Sequence, residues 1–366
     1  MKLLPAAQVK PNEVLAQPIY SDNGQVLLQA GVTLTERLLS RLNNKGITYI
    51  YVEDKRTEDI EVTSPLNPQT RVEAMQTIKE QFQVAAEVPN KNPMFNRDVS
   101  PAWNQAFGNV VEKVMEDLQN SEEALSLLSD AFAYDSYIFT HSLNVTMYTL
   151  RLAMAHGYNR QELRAIGMGA ILHDIGKMQL KPEVLHKTGK LDDHEFEHIK
   201  KHPEMGFLML KDQPNISLLT AHCAYQHHER LNGSGYPRGI AEEAIHPYAK
   251  ILAVADVFDA VTSNRVYRKA MLPHEGMEIL YAGVGELFDD RLVDTFSRII
   301  ALYPNGMMVT LTDGREAVVV SQNGEMTSRP NVRVLTDEAS RSLDTPYDLN
   351  LLENPSILIQ ASAPVG

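Results

Sequence analysis

From residue 103 to about residue 302 the apolar side chains recur every three or four positions. A run that long with a helical period buries its apolar stripes only by packing helix on helix, so it dictates a mainly α domain. Leu143, Met147, Leu150 and Met154 form one such stripe, and Gly157 is placed to end it. The flanks read differently. Residues 1–53 carry β-like runs at 14–20, 25–28 and 47–52 around one amphipathic helix at 34–42. After Pro304 the β signal returns at 307–312, 317–320 and 331–335.

These patterns predict residues 1–53 as a small α+β module, 54–102 as a linker with one helix at 71–86, and 341–366 as a tail. Residues 103–340 are expected to be a helical catalytic domain with a β-hairpin-like appendix. The N-terminal module holds no catalytic constellation, so a regulatory or partner-contacting role is expected for it. The helices over 103–135 are candidates for a homodimer interface. With 34 basic against 47 acidic residues the net charge is -13, which argues against a general nucleic-acid coat. The single cysteine, Cys223, excludes an internal disulfide and a Cys-rich zinc site, and fits a cytoplasmic location. No window approaches the ~18 apolar residues of a membrane span.

All 12 histidines lie between His141 and His274. Histidine grouped with Asp and Glu is the raw material of a metal site. His173 and Asp174 are neighbours in A-I-L-H-D-I-G-K; on a helix they contact different sides of one site, and an Asp can bridge two metals through its two oxygens. Lys177 falls on the face of His173, where its ammonium could reach a metal-bound anion. The bland alternative is a buried histidine beside a surface carboxylate. His202 precedes Pro203 as a helix start would. His227 and His228 lead into a Gly/Pro turn that permits close backbone approach to a ligand. Asp256 and Asp259 sit in the apolar run I-L-A-V-A-D-V-F-D-A, so Asp256 needs a cation or donors nearby. Arg265, Arg268 and Lys269 form the densest positive group near the histidines, which a solvated helix face would explain equally well. His156, His186, His194, His198, His222, His246 and His274 are read as non-ligands.

In order, H-S-L-N-V, H-D-I-G-K, H-P-E-M-G, H-H-E-R-L-N-G-S-G-Y-P and A-D-V-F-D-A-V-T-S-N-R resemble the HD-GYP family, a branch of the HD phosphohydrolase superfamily, over roughly residues 130–305. The N-terminal module also looks like the small domain often fused to that family. The resemblance implies an all-helical HD-type bundle and hydrolysis of a cyclic dinucleotide, usually cyclic di-GMP, to linear dinucleotide or GMP. It implies one metal held by His141, His173, Asp174 and Asp256, and a second held by Asp174 as bridge with His202, His227 and His228. Lys177 matches the catalytic lysine. Arg265, Arg268 and Lys269 match phosphate-holding positions, and Gly233 and Tyr236 belong to the substrate loop. Two such cations could share a hydroxide nucleophile. Iron is the expected metal, with manganese, nickel and zinc as alternatives.

Two positions depart from the family. Tyr137 stands where some members place a Glu for a third metal, which predicts a binuclear site. Asn232 stands in place of Asp in H-H-E-x-x-D-G-x-G-Y-P; Asn keeps hydrogen bonding and loses charge. Asn232 leaves open a receptor that binds cyclic dinucleotide and signals through a protein partner. A hydrolase of another nucleotide, such as cyclic GMP-AMP, is the third reading.

Overall fold

The computed structural model describes residues 1–21, 26–47, 49–87, 100–121, 125–126, 132–133, 137–185, 187, 189, 192–263, 270–324 and 326–362. The chain forms two compact units. One comprises Met1–Pro68, Glu122–Asp135 and Ser297–Gly366, the other Gln69–Ser121 and Ser136–Phe296.

The first unit opens with β1 (Lys2–Pro5), β2 (Ile19–Ser21), β3 (Val26–Leu28), α1 (Glu36–Asn44) and β4 (Tyr49–Val52). β1 pairs antiparallel with β4, Leu3 opposite Tyr51. β2 lies between β3 and the short β5 (Phe132–Ala133). Thr35 caps α1 by accepting the Leu38 N–H, which leaves Leu39 and Leu42 on the buried face with Leu4, Leu15, Ile19 and Ile50. The expected strand at 14–20 shrinks to Ile19–Ser21 because its first residues divide their backbone between two partners. Leu15 donates to Val32 O, and Ala16 donates to Tyr51 O.

The same unit ends in a five-stranded antiparallel sheet. Its strands are β6 (Met308–Leu311), β7 (Glu316–Ser321), β8 (Asn331–Thr336), β9 (Ser342–Asn350) and β10 (Ile359–Ser362), in the order β10-β6-β7-β8-β9. One expected boundary is corrected here. The expected tail at 341–366 supplies both edge strands, β9 and β10. The expected C-terminal β appendix is present as this five-stranded sheet, which shares its unit with residues 1–68. Ile60 packs with Val318 and Leu335, and Arg333 forks onto Asp59 and Asp348, so part of the expected linker is built into this sheet's surroundings.

The second unit is helical. It runs through α2 (Pro68–Glu87), α3 (Ser100–Gln119), α4 (Tyr137–Ala155), α5 (Arg160–Leu172), α6 (Pro182–Leu185), α7 (Asp193–Ile199), α8 (His202–Leu210), α9 (Leu218–Gln226), α10 (Pro247–Thr262), α11 (Pro273–Ala282) and α12 (Asp290–Ile299). Helices α4 and α10 are buried on nearly every side, and each packs on the other. Helix α5 starts on a reciprocal cap between Asn159 and Glu162. A Cβ on its Gly169 would lie 2.6 Å from Cys223 Sγ, so α5 and α9 touch almost backbone to backbone. One turn further on, the His173 and His227 rings lie 5.0 Å apart, so the two helices run in the same direction and end together.

Candidate metal centre

Five segments of the helical unit deliver seven side chains to one place. His141 comes from the second turn of α4, His173 and Asp174 from the end of α5, and His202 from the start of α8. His227 and His228 follow α9, and Asp256 lies in α10. Glycine makes the tightest of these junctions. After Asp174 the chain turns through residues Ile175–Gln179, and a Cβ on Gly176 would fall 2.1 Å from His202 O and 2.5 Å from the Gly206 N. Only hydrogen at that position lets the turn lie on α8 and bring Asp174 to His202.

The side chains form two groups. His141, His173 and Asp174 make one and His202, His227 and His228 the other, each with ligand atoms within 4.8 Å of one another. Asp174 faces both. Its Oδ2 lies 3.4 Å from His173 Nε2 and 3.6 Å from His141 Nε2. Its Oδ1 lies 3.2 Å from His202 Nε2 and 3.9 Å from His227 Nε2. Asp256 Oδ1 is 3.1 Å from His141 Nε2, and its Oδ2 is 3.6 Å from His228 Nδ1. Three rings are aimed by nearby backbone: Nδ1 of His173, His202 and His227 meets the carbonyl three residues back, at 2.7, 2.8 and 2.9 Å. Each therefore turns Nε2 toward the others.

The electrostatics leave ligand-ready forms. Burial opposes ionisation of Asp174, yet Lys177, at 2.5 Å, and His173 outweigh it and hold the carboxyl well below its usual range. Burial is likewise outweighed at Asp256, chiefly by the His141 hydrogen bond. Burial and neighbouring charge keep His227 and His228 well below the usual histidine value, and burial lowers His202. His141 goes the other way: burial lowers it, but Asp256 and Asp259 lift it to about 9. A buried carboxylate oxygen with no hydrogen-bond donor is costly, and Asp174 Oδ1 is such an atom, directed at imidazole nitrogens. The neutral imidazoles of His202, His227 and His228, the ionised carboxylates and the orphaned oxygen fit divalent metal binding, and a cation would displace the extra proton of His141.

The remaining candidates divide. Tyr236 stacks on His228 with ring centres 4.6 Å apart, and Gly233 takes positive φ (77°) in the same loop. Asn232 is exposed, and its Oδ1 accepts the Ser234 N–H in an Asx turn that Asp would form equally well. Tyr137 stacks on His141 at 5.1 Å. Arg265, Arg268 and Lys269 lie outside the described residues.

Two buried carboxylates had no assigned role in the sequence. Glu229 accepts the N–H groups of Arg238 and Ile240 and so folds the glycine loop back on itself. Asp259 contacts His141. The apolar flanks of Asp259 signalled a partner, but not which one.

Residues 113–292 match the family model described as an HD domain, and 308–363 match a KOW domain associated with HD domain. A cyclic di-GMP phosphodiesterase of Pseudomonas aeruginosa is 34% identical over 63% of this chain and 56% of its own length. The cyclic di-GMP phosphodiesterase response regulator RpfG of Xanthomonas campestris is 45% identical over 39% of this chain and 38% of its own. The 3'3'-cGAMP-specific phosphodiesterase 1 of Vibrio cholerae is 35% identical over 50% of this chain and 41% of its own. The chain thus spans about half or less of each relative.

Proposed function

Residues 113–292 belong to the HD domain family, and on that premise we propose that the chain is a metal-dependent phosphodiesterase of cyclic dinucleotides, with cyclic di-GMP as first substrate and linear dinucleotide or GMP as product. One observation carries this reading: the two oxygens of Asp174 face two different histidine groups. In the proposal His141, His173, Asp174 and Asp256 hold one ion, and Asp174, His202, His227 and His228 hold the second. Donors of His and Asp without thiolate suit iron, with manganese next.

Two such cations supply Lewis acidity to the phosphoryl oxygens and an activated water. The chain's own groups do the rest. Lys177, largely buried beside Asp174, carries a proton at Nζ for the leaving oxygen and offsets negative charge as it develops. Arg265, Arg268 and Lys269 hold the phosphates. The loop through Gly233 and Tyr236, locked by Glu229, lines the substrate side of His228. The site is binuclear in this reading, because Tyr137 offers a stacked ring where a third ion would need a carboxylate.

The test is product analysis with anaerobically purified chain, loaded with iron or with manganese and given cyclic di-GMP or cyclic GMP-AMP in parallel. Wild type forms linear product, and Asp174→Ala lowers turnover by roughly 10³-fold or more, since both ions lose a ligand. Faster turnover of cyclic GMP-AMP moves the substrate to the class of the Vibrio cholerae relative. No product from either nucleotide with both sites filled overturns the reading.

A further inference from the structure

Among the four histidines whose Nε2 points into the cluster, His141 is held differently. His173, His202 and His227 each place Nδ1 on a neutral backbone carbonyl three residues back. His141 places Nδ1 2.6 Å from Asp259 Oδ2, a carboxylate 118 positions away on α10. Asp259 is 1% exposed, and two further groups fix it. Asn144 Nδ2 donates to its Oδ1 at 2.9 Å, and Ser263 Oγ donates to the same oxygen at 3.0 Å. Asn144 lies on α4 one turn beyond His141, and Ser263 closes α10 one turn beyond Asp259, so both helices brace the contact.

We propose that Asp259 is a positioning residue for the metal centre: it fixes His141 as the Nδ1–H tautomer, aims Nε2 at the cation and strengthens the hold on the ion of the His141 side. This rests on reading His141 as a ligand. The physical reason is twofold. A carboxylate accepts all three of these donors, which keeps a ring proton on Nδ1 and leaves Nε2, 3.1 Å from Asp256 Oδ1, as the nitrogen for the cation. An anionic acceptor also raises the basicity of the ring more than a carbonyl does. Among the described residues, His202 and His227 have backbone carbonyls behind them, so in this proposal the two ions are held unequally.

Two readouts test this, neither of which uses turnover. The first is metal retention. Zinc-loaded chain is dialysed against rising chelator and bound zinc per chain is counted. Asp259→Asn should release one of two ions at about 10–100-fold lower chelator than wild type, with the second ion released as before. Ser263→Ala, which leaves the carboxylate but removes one donor, should shift the same ion in the same direction by a smaller factor. The second readout is the ring itself. Long-range proton–nitrogen NMR of zinc-loaded wild type should show His141 protonated at Nδ1. Unchanged zinc release in Asp259→Asn, or a wild-type His141 that carries its proton on Nε2, overturns the proposal. Loss of phosphodiester turnover with zinc retention as expected would count against the phosphodiesterase and leave the role of Asp259 standing.

Discussion

His173, His202 and His227 aim themselves: each needs only the carbonyl three residues back, a partner any helix end provides. That locality is why these histidines could be singled out from short motifs. The partner of His141 could not be, because Asp259 is 118 positions away and no spacing rule links them. His246 shows the same limit. It reads as a non-ligand, and its actual task is to cap α10, where its Nδ1 accepts the Tyr248 N–H at 3.2 Å. Burial and nearby His222 lower its pKa below the ordinary histidine value. A histidine whose folded pKa is depressed stabilises the fold above its unfolded value of about 6.5, and that contribution fades as the pH falls below it. An imidazolium also has no lone pair left to accept the cap bond. The stability advantage of wild type over His246→Asn should therefore shrink by about 1 kcal/mol between pH 7.5 and pH 5, measured by paired urea unfolding. An advantage independent of pH would exclude the cap role.

At the scale of elements, helices and central strands were legible and edges were not. The α5 and α10 patterns are strong because each helix is buried along most of its length. β7 and β8 are central strands with continuous buried runs. β9 is an edge strand, largely exposed and carrying Pro346, so it needs one partner and little apolar sequence. The junction of the 175–179 turn with α8 depends on one hydrogen atom at Gly176. Gly176→Ala drives a methyl group into the backbone at His202 and Gly206, so it should destabilise the helical unit by about 3 kcal/mol or more. Metal content should fall with it, read by thermal unfolding and by metal counts on the folded fraction. Full metal content and an unchanged melting temperature would mean that the turn is free to move away from α8.

Over the whole molecule, the sequence separated helical from β territory correctly, yet it could not say which β segments share a unit. That membership is decided by long-range contacts such as Leu3 with Met307 and Tyr51 with Asn305 O. Arg333 is the most connected of these links: its guanidinium meets Asp59, Asp348 and Arg56 O, and the two carboxylates push its pKa upward. Asp59 and Asp348 are largely exposed, so water screens both pairs. Arg333→Ala should cost this unit about 1 kcal/mol, less at high salt, and leave the zinc content of the helical unit unchanged. A loss of zinc would show that the pair network supports more than its own unit.

The first unit draws on Met1–Pro68 and on Ser297–Gly366, with all of the helical unit encoded between them. On a ribosome that order becomes a schedule. At roughly 5–20 residues per second, the early segment waits on the order of ten to fifty seconds for the strands that complete its unit. The residues of the metal centre have all been made by then. A nascent chain stalled before Ser297 would therefore carry all seven proposed metal ligands beside a half-built β unit, and would have the residues for its chemistry before it has its shape.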